Sequence, residues 1–239
     1  MSNIAFVTGA DRGLGYALTA GLLQQGWQVV AGQFMPDWPD LTQLSERFPK
    51  QLYIVPLDVS AIESVRSAAQ KTAALVDHLD VLINNAGVIS STNNYTIREP
   101  QDYEQIQWMI NINALGPIRV AEAMLPLLDQ GTLKRLCFVS SEAGSIERCR
   151  RSGWYGYTMS KAALNMAVKN MFNHLHPEGF TFRLYHPGWM RSYMSGVKGT
   201  QGDLEPEVAA SYALPFFLNN RAEEDRLAMV DYLGNEWPW

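Results

Sequence analysis

Short apolar runs recur along the chain at 4–8, 28–31, 52–56, 81–84, 136–140, 181–186 and 228–232. Apolar side chains fill successive positions there instead of alternating with polar ones, which is the pattern of strands buried on both faces. Between these runs the apolar positions take the three-and-four spacing of helices, at 14–25, 62–75, 102–128 and 157–175. Pro36, Pro39 and Pro49 interrupt the stretch after the second run, so a short helix is expected there, and another is expected to begin near Pro206. Strands alternating with helices predict a Rossmann-type α/β fold: a doubly wound, predominantly parallel, seven-stranded sheet with helices on both faces. Ligands of such sheets bind at the carboxyl ends of the strands, where Asn85, Ser141 and Gly188 fall. No repeat or low-complexity linker divides the chain, so a single domain over 1–239 is expected.

The first strand runs straight into Gly9-Ala10-Asp11-Arg12-Gly13-Leu14-Gly15 and then into a helix. Glycines at 9, 13 and 15 let the backbone turn tightly, approach a diphosphate and pack helix on strand, while the helix N-terminus offers free N–H groups to an anion. The spacing is Gly-x-x-x-Gly-x-Gly, which the commoner Gly-x-Gly-x-x-Gly fingerprint does not cover. Farther on, Tyr157 and Lys161 stand four apart on a predicted helix and therefore share one face. An ammonium beside a phenol favours the phenolate and lowers the tyrosine pKa, which makes a proton donor and acceptor. Tyr155 has Met159 four residues on and lacks such a partner, so it is expected in a substrate-facing loop. Ser140 and Ser141 end the fifth strand pointing to opposite sides, and Asn113 sits inside a long helix that Gly116-Pro117 should bend.

Thr8 to Gly15, Asn84-Asn85-Ala86-Gly87, Asn113-Ala114-Leu115-Gly116, Ser140 to Gly144, Tyr157 to Lys161 and Pro187-Gly188 follow the order and approximate spacing of the short-chain dehydrogenase/reductases. The resemblance spans almost the whole chain, and His186 to Met190 together with the 229–239 tail is similar to the subgroup of C-factor and sniffer-type carbonyl reductases. It implies hydride transfer between a nicotinamide and a carbonyl or alcohol. In that scheme Tyr157 is the general acid and base, Ser141 donates to the substrate oxygen, Lys161 supports Tyr157 and binds the nicotinamide ribose, and Asn113 anchors a relay water. The cofactor would be held by Gly9, Asp11, Arg12, Gly13, Leu14 and Gly15, by Gln33, Asp58 and Val59 on the adenosine side, and by Asn85, Ala86 and Gly87. Pro187, Gly188, Met190 and Ser192 would approach the carboxamide. Ser192 stands where threonine is commoner in the family, and a solvated loop role is the alternative for Asp58. Gln33-Phe34 after the second strand supplies no acid to repel a 2′-phosphate, and Arg12 is placed to meet one, so NADP is favoured with NAD as the alternative.

Ser141 and Tyr157 lie a few residues farther apart than is usual in the family, and the additional residues fall within 146–154, where solvated surface positions are expected for Arg148, Arg150 and Arg151. Trp154, Tyr155, Trp189, Tyr193 and Met194 suggest an apolar substrate mouth, covered by a lid around 192–215. A stripe of Met159, Ala162, Ala163, Met166 and Asn170 is the expected seam of a homodimer or homotetramer. A net charge of −5 gives no basic field for nucleic acid or anionic membranes, and no apolar run approaches the ~20 residues of a membrane span. Cys137 and Cys149 form no metal-binding or redox spacing, and the first strand follows Met1 too closely for a leader, so a cytoplasmic enzyme with a small-molecule substrate is expected. A catalytically silent dinucleotide sensor or signalling protein of the same fold is the alternative.

Overall fold

The computed structural model describes residues 3–194 and 199–239. Seven parallel strands form most of the sheet: β1 (Ile4–Thr8), β2 (Gln28–Gln33), β3 (Leu52–Pro56), β4 (Val81–Asn84), β5 (Arg135–Val139), β6 (Thr181–His186) and β7 (Met229–Asp231). Their order in space is β3-β2-β1-β4-β5-β6-β7, with an eighth strand, β8 (Glu236–Trp237), antiparallel at the β7 edge. The expected seven strands thus become eight. The chain reverses after β7 through Gly234, at φ +88°, and two residues pair back on Met229 and Val230, too short a run to leave an apolar signature.

The helices α1 (Gly13–Gln24), α2 (Asp40–Arg47), α3 (Ile62–Leu75), α4 (Tyr103–Ile110), α5 (Gly116–Asp129), α6 (Tyr155–Leu175) and α7 (Pro206–Leu218) cover both faces. One apolar core lies on the α3, α5 and α6 side, through Phe6, Leu82, Phe138, Val120 and Leu164. The other lies on the α1 and α7 side, through Val7, Val29, Leu18, Leu22 and Phe217. Successive strand residues point to opposite faces, so Phe6 enters one core and Val7 the other, which is why β1 is apolar from Ile4 to Val7. The helix expected over 102–128 is continuous, but its irregularity is a π-helical turn at Asn111–Leu115, ahead of the bend expected at Gly116-Pro117. Gly116-Pro117 follows directly on that turn, and Pro117, having no N–H, cannot continue the helical ladder at the point where the π-helical turn passes into α5.

Strand order reverses between β1 and β4, and that crevice lies between the glycine turn and the loop after β4. The predicted site residues lie along this carboxyl edge of the sheet.

Candidate active site

The glycine turn is shaped by close backbone approaches. Gly9 and Gly13 have φ of +61° and +56°, a region that disfavours residues with a Cβ. A Cβ on Gly15 would stand 2.0 Å from the Gly9 carbonyl oxygen, and one on Gly9 would stand 3.1 Å from Ala86 Cα. Helix α1 starts at Gly13 without a side-chain cap, so its first-turn N–H groups form an open anion cradle, and Leu14 anchors the turn to the core. The Thr8 hydroxyl accepts from the amides of Asn85 and Ala86 at 3.0 Å each, while the Asn85 side chain donates to the carbonyls of Thr8 and Gly9 at 3.0 and 3.2 Å. The β4 loop is therefore latched onto the turn. Asn85, expected to line the nucleotide, spends its amide on this latch, and the part played by Thr8 was not anticipated.

On the side expected to take the adenosine, the Asp11 carboxylate accepts from the Phe34 amide at 2.8 Å and is buried, which raises its pKa despite that bond and the neighbouring Arg12 charge. Gln33 ends β2 half-buried. The Arg12 guanidinium donates to Met35 Sδ at 2.8 Å and lies 5.3 Å from the Trp38 ring centroid and 5.6 Å from that of Tyr193. It thus joins the glycine turn, the β2 loop and the segment after β6. Asp58 Oδ1 accepts from the Ser60 amide and hydroxyl at 2.8 and 2.6 Å, so it organises the turn into α3, while buried Val59 packs its side chain beside Gly116.

Gly188 has φ +83°, and a Cβ there would meet the Tyr232 ring at 2.9 Å, so Pro187-Gly188 is packed against the β7–β8 turn. Met190 packs against the core and bridges Leu204, while the Ser192 carbonyl accepts from Gly199. Of the expected lid, 195–198 lies outside the described residues. Its beginning crosses the crevice: the Met194 carbonyl accepts from the Ile89 amide, and Met194 packs with Tyr157.

Tyr157, Ser141, Lys161 and Asn113 are all buried and converge behind Gly87. A Cβ on Gly87 would lie 3.4 Å from Asn113 Oδ1 and 3.7 Å from Lys161 Nζ. The Ala143 amide donates to Ser141 Oγ at 3.1 Å, which leaves the hydroxyl proton free to be donated to the Tyr157 oxygen. The Ser140 hydroxyl turns away and donates to Asn165 Oδ1 at 2.6 Å. Lys161 Nζ donates to the Val139 carbonyl at 3.0 Å and lies 5.8 Å from the Tyr157 ring centroid.

The expected lowering of the Tyr157 pKa is reversed here. Burial, helped by the nearby Glu142 charge, pushes the phenol up to about 12 against the hydrogen bond from Ser141 and the Arg151 charge, and burial also pushes Lys161 down to about 8. The physical reason is desolvation: taking both groups out of water disfavours both charged forms. A phenol held in this way is protonated at neutral pH.

Asn113 lies in the π-helical turn, accepts from the Val88 amide at 2.8 Å and donates to the Val88 carbonyl at 2.9 Å and to Ser160 Oγ at 3.0 Å. Tyr155, expected in a loop, is instead the first residue of α6. Arg148, Arg150 and Arg151 are exposed, as expected, and two of them also make contacts: Arg148 stacks on Trp237 at 4.7 Å, and Arg151 stacks on Trp154 at 4.7 Å while pairing with Glu142 through both nitrogens. Trp154 is the helix N-cap in a left-handed conformation, which its sequence context does not announce.

The sequence model of the family described as short chain dehydrogenase matches residues 3–202. The chain is 42% identical over 161 residues to the C-signal of Myxococcus xanthus, which covers 67% of this chain and 93% of that protein. Among solved structures it is similar to a putative short-chain dehydrogenase/reductase from Burkholderia multivorans with bound NADP, with a TM-score of 0.86, 28% identity and all of both chains covered. It is also similar to an NADPH-bound carbonyl reductase from chicken fatty liver, with a TM-score of 0.87, 25% identity, and 100% of this chain and 99% of that chain covered. No helix among the described residues is long and apolar enough to cross a membrane, and no group of His, Cys, Asp and Glu among them suits a metal ion.

Proposed function

The chain belongs to the short chain dehydrogenase family, and from that premise we propose that it is an NADP-dependent reductase of apolar aldehydes or ketones in which Tyr157 is the proton donor. The observation that carries this is the burial of Ser141, Tyr157, Lys161 and Asn113 in one cluster beside the glycine turn. The glycine turn fits a dinucleotide, because a Cβ at Gly9 or Gly15 would crowd the very backbone that forms the cradle. When bound, the reduced nicotinamide supplies the hydride.

This chain's residues supply the remainder. Ser141 holds the substrate oxygen, with its hydroxyl oriented by the Ala143 amide. Tyr157, protonated at neutral pH, gives its proton to that oxygen. The Lys161 ammonium, held by the Val139 carbonyl, stabilises the resulting phenolate and borders the ribose site, while Asn113 fixes the loop at Val88 and leads toward the relay water. Arg12 recognises the 2′-phosphate, and Gln33, Asp58, Val59, Ala86, Gly87, Pro187, Gly188, Met190 and Ser192 border the remainder of the nucleotide. Val88, Ile89, Trp154 and Met194, packed against the buried group of Met109, Ala143 and Tyr157, give the site an apolar wall. The name of the C-signal relative raises a signalling role without chemistry; retention of all four polar groups in one buried cluster favours the enzyme.

Fluorescence titration with NADPH and NADH, then turnover of an aldehyde and ketone panel, tests this. NADPH should bind more tightly, and Tyr157→Phe should keep NADPH affinity while losing on the order of 10² to 10⁴ in kcat. Tight binding without turnover of any carbonyl would replace the reductase by the sensor.

A further inference from the structure

The 146–154 segment ends in a residue whose backbone works against its side chain. Trp154 adopts φ 66° and ψ 26°, a left-handed conformation in which a bulky side chain is an outlier. Such conformations persist where the surroundings over-determine them, and they concentrate at functional sites. Here the restraints can be named. The Trp154 amide donates to the Asn93 carbonyl at 2.7 Å, and the indole N–H donates to Asn94 Oδ1 at 2.6 Å. Arg151 lies over the indole face at 4.7 Å and is itself gripped by both Glu142 carboxylate oxygens. The indole then meets the Tyr157 ring edge to face, with centroids 6.0 Å apart and planes at 77°.

We propose that Trp154 is a positioning residue for Tyr157, with the Glu142–Arg151 ion pair clamping the indole so that the phenol keeps its attitude toward Ser141. This rests on Tyr157 being the proton donor. Glu142 and Ser141 are adjacent in the chain, so one short 3-10 turn fixes both the serine that faces the phenol and the carboxylate that fixes the clamp. The charges of the pair act on the phenol in opposite directions, so what the pair delivers to Tyr157 is chiefly the placement of the indole.

The test uses the full chain labelled with 3-fluorotyrosine, the Tyr157 resonance being assigned by its loss in Tyr157→Phe. Trp154→Gly removes the ring while suiting the left-handed backbone, Arg151→Gln releases the clamp with the indole intact, and Trp154→Phe restores an aromatic edge. The Tyr157 fluorine resonance should shift or broaden in the first two and return toward the parent in the third. With NADPH and an aldehyde that the parent reduces, kcat should fall about ten- to a hundredfold in Trp154→Gly and Arg151→Gln. NADPH affinity should remain within about twofold in both variants, and KM within about twofold in Arg151→Gln, which leaves the indole wall in place, a split that general loosening of the fold would not give. An unmoved resonance in both variants, or a moved resonance with parental kcat, overturns the clamp. A parent that reduces no carbonyl overturns the reductase instead, and the fluorine spectra still decide whether the indole orients the phenol.

Discussion

Lys161 is the residue whose burial has the clearest thermodynamic consequence. Its side chain is shut away from water, which lowers its pKa from 10.5 to about 8. Below pH 8 the lysine is protonated in both folded and unfolded chains, and the fold bears the full cost of burying the charge. Between about 8 and 10.5 the unfolded chain still binds that proton and the folded chain does not, so stability rises with pH across the window. The unfolding free energy of the parent minus that of Lys161→Met should therefore climb by about 3 kcal/mol over this range, measured by urea melts at successive pH values. A flat difference would mean that the ammonium is solvated. The same window governs the proposed chemistry: the phenol is still protonated there, but the ammonium that receives its phenolate is not, so reductase turnover should decline above pH 8. The sequence made the Tyr157–Lys161 pairing legible because spacing on a helix is a local property. It did not reveal the direction of the pKa shifts, which depends on how completely distant elements exclude water.

The π-helical turn at Asn111–Leu115 shows where element-scale reading stops. A widened turn absorbs one additional residue inside a helix whose apolar spacing is otherwise undisturbed, so the pattern over 102–128 announces the helix without locating the irregularity. Gly116-Pro117 drew attention as the bend, and the irregularity lies in the turn immediately before it. The widened turn carries Asn113 to the loop after β4, where its amide satisfies both the N–H and the C=O of Val88. Asn113→Leu, of similar size, would leave both Val88 backbone groups short of a partner, while the Ser160 hydroxyl keeps its bond to the Tyr157 carbonyl. We expect a loss of at least about 2 kcal/mol in urea unfolding, with faster amide exchange at Val88. Unchanged exchange there would show that the loop holds its place without Asn113. By contrast, strands such as β1 and β4 were readable to the residue, because each is apolar at every position but its last. The two-residue β8 had no such imprint, and the Trp154 conformation contradicts what a tryptophan prefers locally, so neither was foreseeable.

Across the whole molecule, two arginines inside the sheet tie its far edge to α7. Arg135 and Arg183 are almost wholly buried on β5 and β6, although an arginine at 135 reads as a polar boundary and placed the strand one residue late. Arg135 donates to the carbonyls of Phe217, Leu218 and Asn219, and Arg183 to those of Phe216 and Asn219, so the carbonyl end of α7 is capped by two cations. Glu224 answers them with a two-oxygen pair to Arg183 at 2.6 and 2.5 Å. Helix α7 lies so close to α1 that a Cβ on Gly21 would stand 2.4 Å from Leu214, and α1 begins at the nucleotide cradle. Removing the carboxylate charge with Glu224→Gln leaves two buried guanidinium groups with only neutral acceptors around them. The cost should be about 2 kcal/mol, below that of a fully buried pair because Glu224 is partly exposed. Burial raises the Glu224 pKa, but the hydrogen bonds from Arg183 and the Arg221 amide, with both arginine charges, bring it below its ordinary 4.5. Its contribution is therefore complete above pH 4.5 and lost as pH falls through the lowered native value, so parent and variant melting curves should converge in acid. If they stay equally separated down to pH 3, the carboxylate charge is not what secures α7 to the sheet.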